Sequence, residues 1–420
     1  MRATPVTTSE IPKIYRCFAG AVGAEQWQGA VDRSEKAIRS NHFLGDYLRS
    51  EHAISYQLDR LRKHVASFGT VPTALCNDPS IFPSVAFAAQ VLEVLDGSTF
   101  KQCKEFVKRV RNAFSSAENM HGLRLELNAA THFAGLGQRV VWHRVKHEGS
   151  FDLLVENLGP EGLEVECKSI SENKGRRIHH LCALEFWGEL WKDLAGVAHS
   201  LRSGLAVVLT VPDRLPTDPS EKAALAREVI ARILVSSGGP LSGGANLRLH
   251  EFDLSDVKVS KDNSHDERRN SIDALTGTAN REAIVYGTPA GGILILAMQS
   301  AVADDVFDQV FSTLNKYAPR QFTGKRGALF WVSLQGLDAD QLLSVHKQDC
   351  SPGVQPSELR LRASDFLNGA PNYVVGVAFA SRGGLLQAVG NRMGSGGATN
   401  FFLNESSPHW HASFRDPLRT

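Results

Sequence analysis

The chain has 420 residues, enough for two or three domains, and its composition is that of an ordinary globular protein. Its 46 Lys and Arg residues nearly balance its 45 Asp and Glu residues, so the net charge of +1 excludes a global attraction to nucleic acid or to membrane surfaces. Affinity for a polyanion must therefore come from local basic patches. The six cysteines are scattered without a CxxC pair, which argues against a disulfide framework or a zinc cage and fits a reducing cytoplasm.

The N-terminal third of the chain predicts a helical domain over residues 1–115, because apolar residues recur at three- and four-residue steps. The sequence begins MRATPVTTSEIPKIY, which lacks the apolar core of a signal peptide, and we expect a cytoplasmic protein without membrane contact. The last predicted helix of this region, Phe100–Phe114, is basic. It is a candidate phosphate-contact surface, although such a charge run is usually a solvated helix face. Its cations are Lys101, Lys104, Lys108, Arg109 and Arg111, opposed by Glu105.

In the next region, residues 116–240, the spacing of apolar residues changes and predicts an α/β unit. Its elements follow the order helix, three strands, helix, strand. They are expected at Glu118–Leu136, Arg139–Val145, Phe151–Glu156, Gly162–Ser169, Leu184–Leu201 and Leu205–Val211. Residues 241–420 then favour an α+β C-terminal region.

Acidic residues and one lysine lie on the second and third of these predicted strands. Period-two alternation in the third strand places Glu166 and Lys168 on one face, and Asp152 opens the preceding strand. Antiparallel pairing would bring Asp152 and Glu166 close enough to share one cation. Mg²⁺ suits these hard carboxylate oxygens, and Mn²⁺ is expected to substitute for it. A second E-x-K, Glu172-Asn173-Lys174, lies in a polar run that favours a loop.

The same order, with Glu126 on the helix, Asp152, and Glu166-x-Lys168, resembles the PD-(D/E)XK superfamily of restriction-endonuclease-like nucleases. The resemblance covers about a quarter of the chain and implies an αβββαβ core. It also implies that Asp152 and Glu166 bind Mg²⁺, that Lys168 orients or activates the attacking water, and that Glu126 assists the metal site. Phe151 stands where the name-giving motif has proline.

The activity that this resemblance implies is divalent-metal-dependent hydrolysis of nucleic-acid phosphodiester bonds, with DNA preferred over RNA. A bacterial defence effector or a restriction-type endonuclease would be the corresponding role. A homo-oligomer or a regulatory partner subunit would fit the large accessory regions. A basic segment directly after the third strand could hold substrate phosphates, although an exposed polar loop explains it equally well. Its candidate nucleic-acid-binding residues are Lys174, Arg176, Arg177 and His180.

Three alternatives remain open at this point. Asp152, Glu166 and Lys168 could form only a surface ion pair, worth about 0–1 kcal/mol. The chain could be a noncatalytic nucleic-acid-binding or complex-assembly subunit with a degenerate nuclease core. Finally, the core could end with a helix at Asp305–Tyr317 and a strand at Ala328–Leu334, with residues 212–300 as an insertion. We favour the nearer helix and strand because they require no long excursion of the chain.

Overall fold

The computed structural model describes residues 6–142, 150–171, 173–256, 265–277, 281–381, 385–389 and 392–419. The chain divides into two compact units, each built from separate stretches of sequence. The first unit comprises Met1–Glu35, Arg49–Lys174 and Phe307–Thr420, and the second comprises Lys36–Leu48 and Gly175–Val306. These bounds differ from the three predicted regions, since residues 116–240 are shared between both units.

Helices dominate the N-terminal part of the chain, as the sequence predicted for residues 1–115. Their apolar faces pack on one another, with Phe18 and Trp27 stacked at 5.6 Å between ring centroids. The helices are α1 (Ile11–Val22), α2 (Glu25–Ser40), α3 (Leu44–Glu51), α4 (Ala53–Phe68), α5 (Thr73–Cys76), α6 (Phe82–Asp96), α7 (Phe100–Ala113), α8 (Ala117–Gly135), α9 (His180–Ser200), α10 (Pro219–Leu234), α11 (His265–Thr276), α12 (Val306–Gln321), α13 (Ala339–Cys350) and α14 (Glu358–Gly369).

The strands form three sheets of three, six and five strands among the described residues. They are β1 (Val6–Thr7), β2 (Val140–Trp142), β3 (Leu153–Val155), β4 (Leu163–Ile170), β5 (Gly204–Val211), β6 (Gly239–Pro240), β7 (Asn246–Phe252), β8 (Glu282–Gly287), β9 (Ile293–Ser300), β10 (Gly327–Leu334), β11 (Val374–Ala380), β12 (Leu385–Val389), β13 (Arg392–Gly396) and β14 (Thr399–Leu403). The chain is therefore mixed α/β, with both parallel and antiparallel pairing, which confirms the predicted class.

The six-stranded sheet of the first unit has the order β14-β11-β10-β4-β3-β2. Strands β2, β3 and β4 are antiparallel, whereas β4, β10 and β11 run parallel. All eight residues of β10 are buried, as expected for a central parallel strand that is covered on both faces. Helix α8 covers one face, where Leu125, Ala129 and Phe133 join the cluster that contains Leu163 and Val165.

The prediction that Leu184–Leu201 and Leu205–Val211 complete this sheet is wrong. The corresponding elements, α9 and β5, exist, but β5 lies in the five-stranded sheet of the second unit, between β7 and β9. Its place beside β4 is taken by β10, which pairs with β4 in parallel from Gly327↔Leu163 to Leu334↔Ile170. The alternative is confirmed in that β10, which follows α12, pairs with β4, but its bounds of residues 212–300 are too short, because α9 and β5 also lie in the second unit, which includes Gly175–Val306. Both strands are apolar runs, so periodicity could not separate them.

None of the helices in the described part of the chain combines the length and apolar character needed to cross a membrane.

Candidate active site

Asp152 is anchored beside Glu166 by the antiparallel pairing of β3 and β4. Its own N–H donates to the carbonyl oxygen of Val165 at 3.1 Å. In return, the N–H of Cys167 donates to Asp152 Oδ2 at 2.9 Å. Burial raises the pKa of Asp152 above its ordinary value, and the nearby cations Arg109 and Lys168 oppose that shift. The strand pairing thus places a half-buried carboxylate directly before β3, where the sequence predicted the start of a strand.

Glu166 is the most deeply buried acid of this group, with 3% of its surface exposed. Burial, reinforced by the carboxylate of Asp152, raises the pKa of Glu166 to about 8, although Lys168 acts in the opposite direction. Its Oε1 lies 2.5 Å from Lys168 Nζ, whereas its buried Oε2 accepts no hydrogen bond in the described structure. A buried carboxylate oxygen without a donor is costly. One oxygen of Glu166 thus faces Lys168 while the other has no hydrogen-bond donor among the described residues.

Lys168 is held between two groups from different parts of the chain. Its ammonium contacts Glu166, and it also lies 4.4 Å from the ring centroid of Tyr317 in α12. No sequence pattern marks Tyr317, because its place beside Lys168 depends on the return of the chain through α12. These contacts hold the ammonium next to the carboxylates of Asp152 and Glu166. Alternation along β4 predicted that Glu166 and Lys168 lie on the same face of the strand, and their contact agrees with that prediction.

Glu126 joins these carboxylates from α8. Only 5% of its surface is exposed, and it forms an ion pair with Arg109 Nη2 of α7. Its negative charge contributes to the raised pKa of Glu166, which places the two acids within electrostatic reach. Glu118, the competing helix glutamate, is exposed in the first turn of α8. The structure therefore brings together all four predicted catalytic residues, and Arg109 is an additional member that the sequence suggested only as a surface cation.

We expect Arg109→Ala to lower the free energy of unfolding by about 2 kcal/mol, because it removes the cation that faces a buried glutamate. Chemical denaturation measures this change. The exposed neighbour Lys108 is the matched control, and Lys108→Ala should change the free energy of unfolding by less than about 0.5 kcal/mol. Equal effects of the two substitutions would contradict a stabilising role for the pair between Arg109 and Glu126.

A pocket of about 720 Å³ adjoins Asp152. Its wall is basic, because Lys108, Arg109 and Arg111 of α7 all line it. Arg111 is fixed there by donating from Nε to the carbonyl oxygen of Val22 at 2.7 Å. The basic helix noted in the sequence thus lies at the acidic group rather than on a remote surface. The other lining residues are Gln26, Glu105, Asn112, Ser115, Trp142, Ser150 and Phe151.

Two further acids near the E-x-K, Glu164 and Glu156, have their own partners. Glu164 is fully buried and accepts hydrogen bonds from the N–H, at 2.9 Å, and the hydroxyl of Thr323. Arg326 lies 3.6 Å from the same carboxylate. Glu156 pairs with Arg139 at 2.9 Å. Glu164 therefore holds the connection between α12 and β10, and the electrostatic case for a cation depends on Asp152, Glu166 and Glu126 alone.

The four predicted nucleic-acid-binding residues are divided between the two units. Lys174 ends a segment of the first unit and is exposed. The other three belong to the second unit and have acidic partners there. Arg176 and His180 contact Glu282 at 3.1 and 2.5 Å. The partners of Arg177 are Asp304, whose carboxylate accepts its backbone N–H at 2.8 Å, and the side chains of Asp213 and Asp305.

These pairs neutralise much of the positive charge that the sequence suggested for phosphate binding. The basic wall of the pocket is a second candidate phosphate surface in the first unit. Of the second E-x-K, Glu172 lies outside the described residues.

In the described part of the chain, no group of three or more His, Cys, Asp or Glu side chains could hold a metal ion. Asp152 and Glu166 offer two carboxylates, and Mg²⁺ is usually bound through one or two, with water and phosphate oxygens completing its shell. In comparisons with protein-family models, with curated proteins and with solved structures, nothing matched the chain.

Proposed function

We propose that the chain is a divalent-metal-dependent nuclease of the PD-(D/E)XK type that hydrolyses phosphodiester bonds, with DNA as the preferred substrate. The order of elements in the six-stranded sheet supports this proposal. Helix α8, the antiparallel strands β2, β3 and β4, helix α12 and the parallel strand β10 repeat the αβββαβ order of that superfamily. The insertion between β4 and α12 separates the two halves of the core in sequence.

The observation that carries the proposal is the juxtaposition of Asp152, Glu166 and Lys168 beside a pocket with a basic wall. Glu166 is buried beside the carboxylate of Asp152, which contributes to its raised pKa, and a cation bound by both acids would relieve their repulsion. Carboxylate oxygens are the ligands that Mg²⁺ prefers, so Asp152 and Glu166 fit this metal, with Mn²⁺ as its substitute. A purely structural ion pair would not require a second buried acid.

Each residue has a role in the proposed reaction. Asp152 and Glu166 would hold Mg²⁺, which stabilises negative charge on the phosphate and lowers the pKa of a bound water. Lys168 orients the attacking water and stabilises the charge that develops on the phosphate oxygens. Glu126, fixed by Arg109, maintains the negative field that favours a cation at this position. Lys108 and Arg111 would contact substrate phosphates on the pocket wall.

Cleavage of supercoiled plasmid and of labelled oligonucleotides tests the proposal. We expect product with Mg²⁺ or Mn²⁺ and none with EDTA. The Asp152→Asn variant should lose cleavage by about a hundredfold or more, because one of its two metal-binding carboxylates is removed. Intact substrate after prolonged incubation with wild-type protein and either metal, at high protein concentration and with either DNA or RNA, would contradict the proposal.

The noncatalytic alternative predicts a different result in a metal titration. An intact site should bind Mn²⁺ in the wild-type protein and lose that binding in Asp152→Asn, whereas a degenerate core should bind none in either. We further propose that the enzyme acts in the cytoplasm as a defence effector or restriction-type endonuclease. Its partner in that role would be a regulatory subunit or a second copy of the chain.

A further inference from the structure

Helix α7 carries a stripe of side chains suited to a polyanion. Phe100, Lys104, Lys108 and Arg111 follow one another at steps of four, four and three residues, which keeps them on one side of the helix. From the first to the last of these residues the helix rises about 16 Å, at about 1.5 Å per residue. The three lysines of α7, including Lys101 beside the stripe, are exposed. The stripe is therefore a linear row of positive charge.

Phe100 is the unusual member of the row. Its side chain is 77% exposed, the most exposed large apolar side chain among the described residues. Lys104 Nζ lies 4.9 Å from the centroid of the ring, so a cation and an aromatic face occur together. Exposure of a whole phenyl ring forgoes the stabilisation that burial would provide. Aromatic rings next to cations are the usual platform on which an unpaired base stacks while its phosphate binds the neighbouring charge.

The other end of the row leads to the acidic group. Lys108 and Arg111 line the pocket of about 720 Å³ together with Asp152. That volume lies in the range of about 300–1,000 Å³ that accommodates small organic ligands, which includes a single nucleotide. Glu105 is the acid of α7 and also lines the pocket, so the wall is positive overall but not uniformly so.

We propose that α7 is a binding track for a single polynucleotide strand that leads it to Asp152 and Glu166. One base stacks on Phe100, and the phosphates that follow contact Lys104, Lys108 and Arg111. The track selects a single strand over a duplex, because the bases of a duplex are paired and stacked and present no free face to Phe100. The substrate class named here depends on the proposed nuclease function, whereas binding along α7 does not require cleavage.

Fluorescence anisotropy in EDTA tests the track without any cleavage. The probes are a labelled single-stranded DNA oligonucleotide, the RNA of the same sequence, and the DNA duplex. Wild-type protein should bind a single strand, DNA or RNA, more tightly than the duplex. Phe100→Ala should weaken single-strand binding about 5- to 100-fold. Lys104→Ala should reduce the slope of log K against log salt concentration by about 0.7, the value for one lost contact to a single strand.

Two matched variants control for nonspecific effects. Phe68 is 65% exposed at the end of α4, and Lys347 is an exposed lysine of α13 in the same unit. Phe68→Ala and Lys347→Ala should leave the affinity unchanged. Tighter binding of the duplex, or equal affinities of Phe100→Ala and wild type, would overturn the track.

The track and the nuclease proposal fail in different ways. If wild-type protein cleaves with Mg²⁺ while Phe100→Ala binds single strands normally, the track is wrong and the nuclease proposal stands. If Phe100→Ala loses affinity but the wild-type protein cleaves nothing with any metal, the track stands and the nuclease proposal is wrong.

Discussion

Lys168→Ala should lower the cleavage rate about a thousandfold while leaving Mn²⁺ binding close to that of the wild type. The ammonium lies 2.5 Å from Glu166 Oε1 and 4.4 Å from the Tyr317 ring centroid, so it is held in place beside the carboxylates that we propose bind the metal. Removing one preorganised charge-stabilising group commonly costs about a hundred- to a thousandfold in rate. The two carboxylates that would hold the metal remain in this variant. Single-turnover cleavage of a labelled oligonucleotide, with Mn²⁺ titration alongside, measures both quantities.

The control for this prediction is Lys347→Ala, which removes the same charge from the exposed face of α13 and should cleave at the wild-type rate. Thermal unfolding of both variants checks that the loss of rate is not a loss of fold. A Lys168→Ala variant that is folded, binds Mn²⁺ and cleaves at the wild-type rate would remove Lys168 from the mechanism.

Glu166→Gln should make the metal-free protein more stable at alkaline pH while it abolishes cleavage. The pKa of Glu166 is raised to about 8 by burial and by Asp152, compared with about 4.5 in the unfolded chain. The folded state therefore holds a proton that the unfolded state has released, and wild-type stability falls as the pH rises from about 4.5 through 8. Glutamine carries no ionisable proton, so the variant avoids this loss. The gain should reach about 2–4 kcal/mol at pH 9.

Chemical denaturation in EDTA at pH 5 and pH 9 measures the effect. At pH 5 the two proteins should unfold at similar denaturant concentrations, because Glu166 is protonated in the folded wild type. Glu358→Gln is a suitable control, since this glutamate is exposed in the first turn of α14 and should show no comparable change. A variant that is less stable than the wild type at pH 9 would show that Glu166 is already neutralised by its surroundings.

The elements and the pairing of neighbouring strands could be predicted from the sequence. The pairing of strands that are far apart in sequence could not. Alternation in β4 was enough to place Glu166 and Lys168 on one face, and the short turn before it indicated antiparallel pairing with β3. The choice between β5 and β10 depends on which apolar run reaches β4. Both are apolar, so the rule of short connections favoured the nearer strand, which was wrong.

The contacts around the acidic group were likewise not predictable from the sequence. Tyr317 comes from a helix that is distant in sequence from its neighbour Lys168, and Arg109 lies 17 residues before Glu126 on the preceding helix. Nothing in the local sequence patterns marks either contact. Conversely, Arg176 looked like a free cation in a basic segment, yet it pairs with Glu282, which lies 106 residues later. A charge run in sequence does not show which acids will face it in the fold. The nuclease activity, the metal and the role of Lys168 stay predictions.

The pairing of β4 with β10 also sets the order in which the protein can mature during synthesis. Glu164 in β4 and its hydrogen-bond donor Thr323 are 159 residues apart, and β10 follows only after Thr323. While the ribosome makes the intervening residues, β4 has β3 as its one partner in the six-stranded sheet and lacks the contact of Lys168 with Tyr317. Pairings of such long sequence separation form late and slowly. A newly synthesised chain is therefore incomplete at its acidic group until translation has passed β10.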